Sequence, residues 1–101
     1  MAIPLSNDEL WRAVLGQVEL SISKANFITW FKGTSILSID NGIVTIAVPN
    51  GFAKEWLENK YNLYILKALK SLSSDIEEIR CSIVQNNEIK KKQFEKIKFF
   101  F

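Results

Sequence analysis

Residues 35–61 read SILSIDNGIVTIAVPNGFAKEWLENKY and carry the strongest signals of strand, turn and helix in the chain. Ile36, Leu37 and Ile39 stand before Asp40-Asn41-Gly42, and the β-branched run Ile43-Val44-Thr45-Ile46 follows it. Two such runs about a Gly-containing turn predict an antiparallel hairpin. Pro49-Asn50-Gly51 ends the second strand, and Asn50 is placed to cap a following helix with its side-chain oxygen. From there Ala53, Leu57, Tyr61, Tyr64, Ile65, Ala68 and Leu72 keep three-to-four spacing, which predicts one long helix of about five turns.

Ser73-Ser74-Asp75 closes that helix, and Ile79, Cys81 and Ile83 alternate with Arg80 and Ser82 as in a half-buried strand. A strand reached through a helix can lie parallel to the second strand by a right-handed crossover, which makes the sheet mixed. On the N-terminal side, Ser6-Asn7-Asp8-Glu9 has capping-box spacing, and Leu10, Trp11, Val14, Leu15 and Val18 form a broad apolar stripe. Ser23 is a second cap candidate, ahead of a short helix carrying Phe27, Trp30 and Phe31 and ending at Gly33. The expected fold class is α+β in the order ααββαβ: two N-terminal helices, a small three-stranded mixed sheet and one long helix before the last strand.

The charge is divided unevenly. Through Val84 there are eight basic and nine acidic residues, whereas residues 85–101 hold five Lys against two Glu. The expected organisation is a domain over residues 1–84 and a basic linker or tail over residues 85–101. A near-neutral body is a poor match to a tight binder of duplex DNA, which needs a basic face. The absence of His and the single Cys81 exclude the usual zinc sites, a His-based triad and an internal disulfide. Neither common phosphate-cradling glycine motif occurs, and Glu77-Glu78 would point to opposite strand faces. The expectation is therefore a non-enzymatic protein with no cofactor and no metal. No signal peptide or apolar run of membrane-spanning length is present, so a cytoplasmic protein with no membrane partner is expected.

Aromatic residues are the remaining signal. Phe27, Trp30 and Trp56 are expected in the core, where a small domain needs large side chains. Trp11 lies off the middle of its stripe and Phe52 just ahead of the next one, so each suits either a core or an interface.

The series Leu10-Trp11, Phe27-x-x-Trp30 and Val48-Pro49-Asn50-Gly51-Phe52-Ala53-x-x-Trp56-Leu57-x-x-x-Tyr61 closely resembles the N-terminal domain of the bacterial chromosomal replication initiator DnaA. The resemblance covers roughly residues 7 to 84. It implies a KH-like ααββαβ fold and an interaction hub that associates with itself or with full-length DnaA, helps recruit the replicative helicase, binds initiation regulators and touches single-stranded DNA weakly. Position by position, it puts self-association on Trp11 and the neighbouring Leu15, and helicase or regulator docking on Phe52. Asn26 stands where some members carry a functional Glu, a departure that weakens a charge-dependent contact there. Gly33 stands where a Pro is frequent. The family's ATPase and duplex-binding domains are not in the sequence, which suits either a fragment or a stand-alone copy of the hub that could act as a decoy.

For weak nucleic-acid contact the tail offers Lys90, Lys91 and Lys92. A stand-alone KH-like single-strand binder is the competing reading, but a KH domain clamps the backbone with a Gly-x-x-Gly loop, and no two glycines here are three apart.

Overall fold

The computed structural model describes residues 5–84. The elements are α1 (Asn7–Glu19), α2 (Lys24–Phe31), β1 (Ser35–Asp40), β2 (Ile43–Val48), α3 (Gly51–Asn59), α4 (Asn62–Leu72) and β3 (Glu78–Ile83). The α+β class and the mixed sheet are as the sequence predicts: β1 pairs antiparallel with β2, β2 parallel with β3, and the strand order is β1-β2-β3. A bulge between Ile36 and Ser38 interrupts the first pairing.

Local chemistry sets the ends of these elements. Ser6 and Glu9 form the reciprocal capping box at α1. The Ser23 hydroxyl accepts from the Asn26 N–H at 3.1 Å, and Asn50 Oδ1 accepts from the Ala53 N–H at 2.8 Å. The hairpin turn carries positive φ at both central residues, Asn41 at 49° and Gly42 at 79°, the geometry that matches strand twist in two-residue hairpins. The Gly42 carbonyl accepts from the N–H groups of Glu77 and Glu78 at 2.7 and 3.2 Å, tying the turn to the entry of β3.

The single long helix expected before the last strand is instead two. Tyr61 leaves helical geometry at φ −104°, ψ 2°, and the N–H groups of Lys60 and Tyr61 both donate to the Trp56 carbonyl. Asn62 Nδ2 donates to the Glu58 carbonyl at 3.2 Å, satisfying one of the acceptors that a helix end leaves open. A straight helix through residues 51–72 would run about 33 Å at 1.5 Å per residue, well past six-residue strands of about 20 Å. The break lets α3 lie against β3 while α4 lies against α1. It also turns Tyr64, expected on the apolar stripe, to the surface.

The core joins Val14 and Val18 of α1, Phe31 of α2, Val44, Ile46 and Val48 of β2, and Leu57, Tyr61, Ile65 and Leu69 of the paired helices. Phe27, Trp30 and Trp56 are half-buried at its margin, less enclosed than the sequence reading expects. On the β3 side, Glu58 Oε2 accepts from the Cys81 N–H at 3.1 Å, so a carboxylate from α3 occupies a strand amide.

Burial, and secondarily the Glu58 charge, pushes the Cys81 thiol from an ordinary 9.0 up to about 12, with Lys54 opposing. Burial, with Tyr64 adding, also raises Tyr61, whose hydroxyl finds no hydrogen-bond partner among the described residues. For the thiol, the folded chain holds its proton above the value at which the unfolded chain releases it. Its contribution is therefore complete below the unfolded pKa and lost as pH rises from 9.0 toward about 12. Urea midpoints taken near neutrality and at about pH 10.5 should fall further for the wild type than for Cys81→Ala. Equal losses in the two proteins would remove Cys81 as a contributor.

Candidate functional site

Apart from Trp11 on α1, the aromatic residues that the sequence singles out lie on α2 and α3. Trp30 stacks on Trp56 with ring centroids 4.8 Å apart and planes 20° apart. Phe27 stacks on Phe31 at 5.6 Å, and Phe31 meets Tyr61 at 5.5 Å. Aromatic pairs of this kind add about 0.5–1.5 kcal/mol beyond the area they bury. Lys60 Nζ lies 4.7 Å from the Trp56 ring centroid and 5.7 Å from that of Tyr61, adding a cation–π contact. The sequence reading misses Lys60, since its place follows from the helix break.

Phe52 stands in the first turn of α3, one turn ahead of Trp56, and is 74% exposed. It is no staple against the sheet. Its backbone is fixed by the Asn50 cap and by the Lys54 N–H, which donates to the Asn50 carbonyl at 3.1 Å. An aromatic ring presented on a preset backbone has little conformational freedom left to lose on binding. Asn26 is half-buried one turn ahead of Trp30, in the helix that stacks on α3. Phe52 and Asn26 therefore occupy equivalent steps, each four residues before a partner in the tryptophan stack.

Of the two places the sequence leaves open for Trp11, core or interface, the structure puts its side chain in the core. It is 3% exposed, and its Nε1–H donates to Thr34 Oγ1 at 3.1 Å. The side chain is a core residue because Thr34, just past the Gly33 turn, satisfies the indole N–H that burial would otherwise leave unpaired. Leu15 is half-buried and packs against the same core. Lys90, Lys91 and Lys92 lie outside the described residues. Among the described residues there is no cluster of potential metal ligands, and no helix is long and apolar enough to cross a membrane.

The sequence profile of the DnaA N-terminal domain matches residues 8–71. The chain belongs to the DnaA N-terminal domain family. With that membership goes a protein-interaction role in replication initiation. The fold is also that of a solved relative, the crystal structure of a HobA-DnaA (domain I-II) complex from Helicobacter pylori, with a TM-score of 0.61 at 14% identity. The match covers 72% of this chain and 94% of that one. Within the family frame, α3 with its exposed Phe52 falls inside the matched residues, as do α1 from Asp8 onward, α2 and both strands of the hairpin.

Proposed function

We propose that the domain docks a partner protein of replication initiation, the replicative helicase or an initiation regulator, on the surface made by α2 and the start of α3. The observation that carries this reading is the exposure of Phe52 on a capped helix start, beside the Trp30–Trp56 stack. Aromatic side chains, Phe among them, are enriched in protein interfaces relative to the rest of the surface. That the solved relative of the same fold was crystallised as a complex of HobA with DnaA supports a regulator as one such partner. Asn26 supplies hydrogen-bonding capacity but no charge, so the contact depends on Phe52 more than on electrostatic attraction. The chain acts through binding and not through catalysis, and it works in the cytoplasm with the rest of the initiation machinery. Association between copies, if it uses α1, rests on the margin of Leu15, since Trp11 is enclosed.

A backbone amide and tryptophan indole NMR titration with the replicative helicase of the same organism tests the location. The largest shifts should fall on Phe52, Ala53 and the indoles of Trp30 and Trp56. Shifts confined to the sheet or to α1 would contradict the placement.

A further inference from the structure

A second surface lies between the C-terminal half of α1 and α4, apart from the tryptophan stack. A groove of about 410 Å³, within the range of ligand-binding clefts, is floored by Val18 and Ala68 and walled by Leu63 and Tyr64. Gln17 and Ser71 tie the two helices together by side-chain hydrogen bonding at 3.2 Å. A shallower depression on α4, lined by Leu63, Leu66, Lys67 and Lys70, continues from it. Leu63 is 78% exposed and Tyr64 44%, a considerable apolar area for consecutive residues of one short helix. Such area usually marks an interaction site.

The charges say what covers it. Lys67 lines the groove and Lys70 the depression that continues it, and neither is lined by a carboxylate. Helix α4 contains no Asp or Glu, and the ion pair among the described residues is Arg80 with Glu78, so neither lysine has an ion-pair partner among the described residues. A purely apolar occupant would leave both ammonium groups beside a dry contact without a counter-charge. A basic occupant would be repelled, which disfavours the chain's own segment 85–101 with its five Lys. A nucleic-acid strand needs several phosphate contacts and stacking platforms, whereas two lysines and a mainly aliphatic wall are offered.

We propose that this α1–α4 groove docks an acidic amphipathic helix of another protein, its apolar side chains on Leu63 and Tyr64 and its carboxylates on Lys67 and Lys70. This is the helix-in-groove mode, with anchors at i, i+3, i+4 and i+7 setting register and the flanking charges selecting the partner.

The test uses the full chain and a fluorescent synthetic peptide about 14 residues long, with Leu at the anchor positions and Glu on the flanks, beside a twin carrying Lys for Glu. The Glu peptide should bind, and the paired substitutions Lys67→Glu and Lys70→Glu should weaken it about 10-fold while strengthening the Lys twin. Leu63→Ser should cost about 10-fold for the Glu peptide. All three positions are exposed, so circular dichroism should show an intact fold in each variant. Absence of binding at millimolar peptide, or equal binding of both peptides, would overturn the proposal. So would oligothymidylate binding lost in the charge-reversed variant while the peptide remains bound. A wild-type dimer that Leu63→Ser dissociates in sedimentation would equally overturn it, by assigning the groove to a second copy.

Discussion

Trp11→Ala should lower stability by about 3–5 kcal/mol, the range for truncating a large aromatic side chain in a closed core. The indole is almost wholly enclosed among α1, β1 and the α2–β1 connection, and its removal leaves a cavity that the surrounding elements cannot fill without moving. The Thr34 hydroxyl also loses its donor, adding about 1 kcal/mol. Trp11→Phe keeps most of the ring and should recover over half the loss, whereas Thr34→Val should cost only about 1–2 kcal/mol. Urea unfolding followed by far-UV circular dichroism measures all three. If Trp11→Ala keeps its midpoint and only changes the association state, the residue acts at an interface and the burial described above is wrong for the protein in solution.

Gly42→Ala should be the most damaging conservative change in the sheet, at about 2–4 kcal/mol. Two independent effects add. At φ 79° any side chain is strained by about 1–2 kcal/mol, and a Cβ would sit 2.8 Å from the Asp75 carbonyl oxygen, a backbone atom that cannot rotate away. Relieving that contact pulls the segment before β3 from the turn and stretches the bonds from Glu77 and Glu78 to the Gly42 carbonyl. The neighbouring Asn41→Gly should change stability by less than about 0.5 kcal/mol, because its conformation already suits glycine. Comparable urea midpoints for wild type and Gly42→Ala would show that the turn and the β3 entry are not coupled as described.

Much of the architecture is legible in the sequence because the deciding signals are local. The capping box at Ser6, the caps at Ser23 and Asn50, the two-residue hairpin turn and the alternation of Ile79 and Cys81 each act within a few residues, and each is present in the structure. The helix break is not legible. Leu57, Tyr61, Ile65 and Ala68 stay buried at helical spacing on both sides of it, and neither Gly nor Pro marks it, so the pattern reads straight through. What bends the chain is the length of the sheet it must cover, a tertiary fact, and the local bond of Asn62 to the Glu58 carbonyl accompanies the break without altering the apolar spacing. The same limit applies to the candidate sites. Residue type and position leave Trp11 and Phe52 equally open, and the partner that separates them, Thr34, is 23 residues from Trp11 in the chain. Lys60 and the groove beside Leu63 depend on how α4 turns after the break, which no spacing encodes.

The proposed docking role makes Phe52 an exposed anchor for a partner, held by the α3 cap and needed neither for the core nor for the fold. Isothermal titration of the replicative helicase with wild type and Phe52→Ala, each protein also taken through urea unfolding, tests it in one comparison. The predicted result is a stability change below about 1 kcal/mol together with a binding loss of about 2 kcal/mol or more, a factor near 30 in affinity. Unchanged affinity, or a stability loss of about 3 kcal/mol that accounts for the weaker binding, would contradict it.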